Sequence, residues 1–353
     1  MVYVANSRDG GISVLEFDRT SGELLEQGRR LATQGVAPLA ASPDRRFLYA
    51  AVRTETPAVA AFAVDSKTGE LHFLNSVPVP AGPSYMTVDA GGRFLLAASY
   101  GGGIVFVLPL GRDGMPQPEP ACVVSGGRNP HCVLVDASNR FAYVPYLGND
   151  QVAQYRFDAA TGILRPNAPP QIAAPRESGP RHMVIRPDGR YAYVLTELSG
   201  EIIKCAIDAE NGTLSAEHAV PLMPADRALP PGRYEPPVNA SGGANSPAPV
   251  MWAADIRISP DGRFLYASER TGSTVSCFTV DPVSGRLDMF GCVDVEERPR
   301  GLAMDPHGRF LLVMGEASDH VSAYGIDRES GALAPGVRIR TGEAPTWTEV
   351  IVL

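Results

Sequence analysis

One phrase recurs along this chain and restricts its fold more than any other feature. At Ser259 it reads SPDGRFLYASER: a turn, a short apolar run and a charged exit. Variants stand at Ser42 (SPDRRFLYAAVR), Asp89 (DAGGRFLLAASY), Asp136 (DASNRFAYVPYL), Arg186 (RPDGRYAYVLTE) and Asp305 (DPHGRFLLVMGE). Pro-Asp-Gly is turn chemistry, with proline presetting φ and glycine accepting the left-handed conformation. Phe-Leu-Tyr-Ala has the composition of a buried strand. Self-similarity of this kind specifies a repeat architecture before any single motif is weighed.

A second phrase alternates with the first. An apolar strand runs into Asp-x-x-(Thr/Ser)-Gly-x-Leu at Val14, Ala61, Gln154, Cys277 and Ala323; Lys204 opens a copy with Asn in place of the hydroxyl residue, and Val107 a degenerate one. Each reads as a hairpin whose glycine supplies the positive φ. These glycines are Gly22, Gly69, Gly114, Gly162, Gly212, Gly285 and Gly331, spaced by 47, 45, 48, 50, 73 and 46 residues. Two phrases per unit make four strands, and a period near 47 predicts a β-propeller. The expectation is an all-β, seven-bladed β-propeller of four-stranded antiparallel blades, formed by residues 1–353 as a single domain. The chain opens at VYVANS, a second strand, and ends at EAPTWTEVIVL, a first strand, so pairing of the N- and C-terminal strands is expected to close the ring and remove open sheet edges. The one long interval contains residues 224–249, a Pro/Gly-rich loop expected to lie over the channel face.

Composition narrows the partners. The net charge is -8 and there is no Lys/Arg run, which argues against nucleic acid. No apolar run approaches a membrane span, and the first residues enter a strand at once, so neither a membrane nor a signal peptide is expected. Five irregularly spaced cysteines without a C-x-x-C motif read as reduced thiols in the cytoplasm. No metal site is expected, since H-x-x-x-H and close Cys/His clusters are missing from the sequence, and no cofactor motif occurs. The expected state is a monomer or small homo-oligomer acting on a small molecule.

Aligning the units on the turn arginine reads each residue by its position in a blade. The channel-lining first strands begin at Ala37, Ser84, His131, Arg181, Ala254 or Asp255, Arg300 and Thr346. Seven residues after the turn arginine, where the second strand ends beside them, stand Arg53, Tyr100, Leu147, Glu197, Arg270 and Glu316, with Ser7 completing the ring. One face of the disc therefore gathers arginines beside a few carboxylates. Arginine's planar fork of donors suits carboxylate and phosphate, so a small anionic substrate is expected. His131 occupies a channel position. His182 follows Arg181 but points to the other face of its strand, where it would orient a neighbour. The candidate substrate contacts are Arg300, Arg53, Tyr100, His182, Glu269 and Asp255.

Three phrases carry a resemblance: GPRHMVIRPDGRYAYVLTEL from Gly179, WAADIRISPDGRFLYASERT from Trp252 and RPRGLAMDPHGRFLLV from Arg298. The chain resembles the seven-bladed lactonase family, which includes propeller-type bacterial 6-phosphogluconolactonases and fungal carboxy-cis,cis-muconate cyclases. The resemblance implies catalytic residues at His131, Arg181, Glu197 and Arg270. It implies a hydrolase opening the ring ester of an acidic sugar lactone, with Glu197 as general base, Arg181 and Arg270 on the anion, and His131 protonating the leaving alkoxide. The alternatives are a cycloisomerase of carboxymuconate-type diacids and a non-catalytic ligand-binding propeller.

Overall fold

The structure is a computed structural model and describes residues 1–31, 35–234 and 249–353. Seven four-stranded antiparallel sheets make up the fold, as the repeat predicts. Blade 1 joins the two ends of the chain: Pro345–Val350 is its inner strand, followed outward by Val2–Asn6, Gly11–Phe17 and Leu24–Leu31. Met1 Nα donates to the Ile351 carbonyl at 2.7 Å, fastening the closure. The inner strands of blades 2 to 7 are Val36–Ala41, Tyr85–Val88, Leu134–Val135, Pro180–Ile185, Ala253–Ile258 and Pro299–Met304. These strands neighbour one another around the central channel. Among the described residues, two single-turn 3₁₀ helices, Leu147–Asn149 and Ala225–Arg227, interrupt the β pattern.

The two repeated phrases explain how the blades hold together. Within the turn phrase, the leading Ser or Asp side chain accepts the N–H of the aromatic residue that starts the strand. Phe47 donates to Ser42 Oγ at 3.0 Å, Phe94 to Asp89 Oδ1 at 2.7 Å, and Phe264 to Ser259 Oγ at 2.9 Å. Within the hairpin phrase, the Asp accepts local N–H groups and the glycine adopts positive φ, as at Asp281 and Gly285. The phrases then meet across the blade boundary. A Cβ on Gly331 would lie 2.3 Å from the Phe264 ring, and one on Gly212 would lie 2.1 Å from Phe141. Both glycines serve two needs at once, positive φ and close approach. The second-strand tyrosines Tyr143, Tyr193 and Tyr266 donate to the carbonyls of Gly212, Gly285 and Gly331 in the following blade. The turn arginines reach the same hairpins: Arg93 donates to Ala159 O at 2.6 Å and Arg263 to Arg328 O at 3.1 Å. Both phrases lie on one face of the disc. The opposite face, formed where second strands end and first strands begin, is left free to carry chemistry.

The described part of the 224–249 insertion crosses that free face. Gly232 N–H donates to Leu198 O at 2.8 Å, and Tyr234 Oη donates to Asn129 Oδ1 at 2.8 Å, two residues before His131. The remainder of the insertion lies outside the described residues.

Candidate active site

Every blade delivers its first-strand start and second-strand end to this upper mouth, and the residues that differ between blades are the ones with chemistry. Glu197 follows the strand Tyr191–Thr196, and Arg270 follows Phe264–Glu269. Arg181 and His182 lie in the inner strand of blade 5, while His131 precedes the inner strand of blade 4. The four expected catalytic residues are all buried.

Glu197 is the hub. Its Oε1 accepts from Arg270 Nη2 at 2.8 Å and from the Trp252 indole Nε1 at 2.6 Å. Its Oε2 lies 2.8 Å from Arg181 Nε, close enough for a strong ion pair although the N–H is not aimed along a hydrogen bond. Burial pushes the Glu197 carboxyl pKa up, but Arg270, Arg181 and Arg300 pull harder and leave it below the usual range. Arg270 lies over the face of Trp252, its guanidinium carbon 3.7 Å from the ring centroid. Burial brings its pKa down to about 9, against the pull of Glu197, so it remains charged at neutral pH.

Behind Arg181 runs a buried chain of partners. Its Nη1 donates to the Ala254 carbonyl and meets His182 Nε2 at 3.2 Å. His182 Nδ1 lies 2.9 Å from Asp255 Oδ1. Arg257 grips Asp255 through both Nη atoms at 3.0 Å each. Despite burial, Arg257 and His182 hold the Asp255 carboxyl down to about 2. An ionised Asp255 requires the Nδ1–H tautomer of His182, which leaves Nε2 as an acceptor for Arg181. Burial and Arg181 lower His182 to about 4, so it is neutral.

His131 differs from its neighbours. Burial, then Arg181, His182 and Arg300, push its pKa well below the ordinary histidine value. Its ring forms edge contacts with Tyr100 and His182, at 5.5 and 5.1 Å between centroids. Nδ1 is sealed from solvent without a hydrogen-bond partner. Among the described residues, ten buried side-chain nitrogen or oxygen atoms lack a hydrogen-bond partner; five belong to this mouth, on His131, Arg181, Glu197, Glu316 and Thr346, although Arg181 Nε and Glu197 Oε2 are ion-paired with each other. Buried polar atoms in folded proteins are normally satisfied. Such a concentration suits a bound molecule that offers both donors and acceptors.

The expected substrate contacts divide. Arg300 enters the mouth loosely paired with Glu316 at 3.6 Å, and Arg53 is exposed there, held only through Nε to Pro83 O at 2.9 Å. Tyr100 sits beside His131, its phenol pKa raised to about 12 by burial and the Glu197 charge. His182 orients Arg181, as its strand face implies. Asp255 and Glu269 need correcting. Asp255 accepts from His182, Arg257 and the Leu302 and Ile256 amides, leaving no oxygen for a ligand. Glu269 is fully buried, and its carboxylate accepts the backbone N–H of Trp252, Thr271 and Gly272. It shapes the loop that carries Arg270. Trp252 is the residue that positional reading missed. It stands outside both aligned rings, yet it holds Glu197 by its edge and Arg270 by its face. Its neighbourhood with the phrase WAADI is the only signal for it.

Among the described residues, no three His, Cys, Asp or Glu side chains are grouped to hold a metal ion, and no helix is long and apolar enough to cross a membrane. The family model described as Lactonase, 7-bladed beta-propeller, matches residues 1–350. A 6-phosphogluconolactonase of Pectobacterium carotovorum subsp. carotovorum is 33% identical over 353 residues, spanning 100% of this chain and 99% of that protein. One from Cronobacter sakazakii is 34% identical over 315 residues, spanning 89% and 87%. Among solved structures, the periplasmic gluconolactonase of Pseudomonas aeruginosa is similar with a TM-score of 0.86 and 27% identity, spanning 99% of this chain and 98% of that one.

Proposed function

The chain belongs to the seven-bladed β-propeller lactonase family, and on that premise we propose that the upper mouth hydrolyses the ring ester of a phosphorylated sugar lactone, with His131 as the proton-transfer group. The observation that carries this reading is a neutral His131, its Nδ1 without a hydrogen-bond partner among the described residues, beside two arginines that each keep one terminal nitrogen out of protein hydrogen bonds. Arg181 Nη2 and Arg270 Nη1 have no partner among the described residues.

The chemistry follows from these states. Water adds to the lactone carbonyl carbon while neutral His131 takes its proton. The developing oxyanion lies against the free guanidinium nitrogens, where each well-placed donor contributes roughly 3–4 kcal/mol. The tetrahedral intermediate collapses, the ring C–O bond breaks, and His131 returns the proton to the departing alkoxide. The product is the open hydroxy acid. This moves the base role expected of Glu197 onto His131, which keeps its expected role of protonating the alkoxide. Glu197 has one carboxylate oxygen held by Arg270 and Trp252 and the other ion-paired with Arg181, so it aligns the two arginines rather than taking a proton from water. Arg53 and Arg300 are the least committed cations of the mouth and suit the dianionic phosphate. The relatives named 6-phosphogluconolactonase support that substrate. The five free thiols support a cytoplasmic location.

The test is initial-rate hydrolysis of freshly prepared 6-phosphogluconolactone, corrected for spontaneous opening. His131→Asn is expected to lower kcat by about 100-fold or more with KM little changed. Because the pKa of His131 is depressed, wild-type kcat/KM is expected to stay level through pH 6.5 and to fall only well below it. A His131→Asn enzyme with near-wild-type kcat overturns the assignment.

A further inference from the structure

The channel has a second chamber at its other end. A cavity of about 380 Å³ opens on the lower face, between the ends of the inner strands of blades 1, 2, 3, 6 and 7. Its volume lies within the range of small-molecule sites. It is separated from the upper mouth by packed side chains: Tyr85 and Trp347 meet edge to face at 5.0 Å, and Tyr85 packs edge-on to His182 at 5.2 Å. Its lining is mostly polar, and Ala40, Met86, Ala303 and Met304 belong to the smaller apolar part.

Its polar groups are unequally committed. Arg257 lines the chamber, but both its Nη atoms pair with Asp255 and its Nε donates to Leu302 O at 2.8 Å. Its charge is therefore balanced from within the protein. Glu349 has no such balance. Among the described residues its Oε1 accepts one hydrogen bond, from Trp347 Nε1 at 3.2 Å, and Oε2 accepts none. No cation forms an ion pair with it among the described residues. A carboxyl group so placed is costly unless it is protonated or meets a donor. Burial raises its pKa to about 7; Trp347 and Arg257 lower it and Asp255 raises it further.

We propose that the lower chamber is a binding site for a small organic cation, with a primary ammonium group on Glu349 and a short apolar chain against the Met86 and Met304 walls. Arg257, already spent on Asp255, does not compete for Glu349. The ammonium donates to Oε2 and supplies the missing charge. The same charge arrangement disfavours anions, so the site does not take the substrate or product of the upper mouth.

Tryptophan gives a direct readout, because the chain contains only two. Trp347 donates its indole N–H to Glu349 in the lower chamber, and Trp252 donates its own to Glu197 in the upper mouth. In a ¹⁵N-labelled full-length sample, the two indole resonances are assigned with Trp252→Phe and titrated with n-butylammonium, butyrate and n-butanol at pH 8. The expected result is saturable movement of the Trp347 resonance by butylammonium in the millimolar range. The Trp252 resonance stays still, butyrate and butanol have no comparable effect, and Glu349→Gln weakens binding by at least about tenfold. The unmoved Trp252 resonance also reports that the Glu349→Gln fold is intact. The proposal is overturned by a linear drift without saturation, by equal response to butanol or butyrate, by a Trp252 response matching that of Trp347, or by undiminished binding in Glu349→Gln.

Discussion

The two ends of one channel, lined by the same inner strands, have opposite character. At the upper end four arginines face two glutamates, and five buried polar atoms have no hydrogen-bond partner among the described residues. At the lower end one arginine is neutralised by Asp255, and the unbalanced group is a carboxyl, Glu349. The difference arises from what the repeat must conserve in its own geometry. The lower face carries the turn and hairpin phrases that lock blade to blade, so its sequence is held to Ser, Asp, Gly, Arg and aromatic residues in fixed places. The upper face carries strand ends and connections outside both repeated phrases, and its contacts between blades, such as Arg270 with Glu197 and Arg181 with Ala254, are not repeated around the ring. Side chains there can differ from blade to blade, and the site is assembled from those differences.

Asp255 lies where the two ends meet, and removing it is expected to have the largest effect. Asp255→Ala leaves Arg257 buried without its partner and His182 without a fixed tautomer. The expected loss is about 3–5 kcal/mol of stability, read from urea midpoints at pH 7. Asp255→Asn, which keeps a hydrogen-bond acceptor, should recover part of that loss. A change below about 1 kcal/mol in Asp255→Ala would mean that the division between the chambers does not depend on this pair.

Arg181→Lys tests whether the upper end works by geometry or by charge alone. Lysine keeps the charge but loses the fork that reaches Ala254, His182 and Glu197 at once. Lactone-opening kcat should fall about 100-fold, with Glu349→Gln staying within about twofold of wild type. Equal losses in both variants would erase the functional distinction between the ends.

These contrasts bear on what the sequence made legible. The architecture was readable because both phrases are local. A turn, a strand and a hairpin glycine each follow from a few neighbouring residues, and seven copies multiply the signal. Positional alignment then brought His131, Arg181, Glu197 and Arg270 to one mouth, where the structure gathers them. It could not rank them chemically. In the proposed reaction His131 takes the base role expected of Glu197, because of contacts from other blades: Trp252 and Arg270 on the carboxylate, and burial beside Arg181 on the imidazole. Asp255 and Glu269 failed as substrate contacts for a similar reason. Alternation along a strand says which face a side chain takes, but not whether backbone amides from a neighbouring loop already occupy it. The lower chamber gave no sequence signal, since Glu349 is a lone carboxyl near the chain's end.

Glu349 should also appear in the pH dependence of stability. Its folded pKa, about 7, lies above the ordinary carboxyl value near 4.5. The native state therefore holds the proton more tightly than the unfolded chain. Its contribution is fully present below about pH 4.5 and is lost as pH rises through 7. Allowing for its partial exposure, wild type should lose about 1–2 kcal/mol relative to Glu349→Gln between those limits, measured by denaturant titration at each pH. Parallel curves for the two proteins would mean that the lower end carries no unbalanced carboxyl.

The smallest expected effect lies at the insertion. Tyr234 donates to Asn129 Oδ1, and Asn129 Nδ2 donates to the Tyr100 carbonyl at 3.2 Å, so the insertion is tied to the rim beside His131. Tyr234→Phe removes one hydrogen bond and leaves the ring. At about 1 kcal/mol the cost corresponds to roughly a fivefold rise in KM for the lactone. The prediction requires kcat to hold, because Tyr234 touches none of the proposed proton-transfer groups. A fall in kcat with unchanged KM would instead place Tyr234 in the chemistry of the upper mouth, and the insertion would then be a working wall of the site.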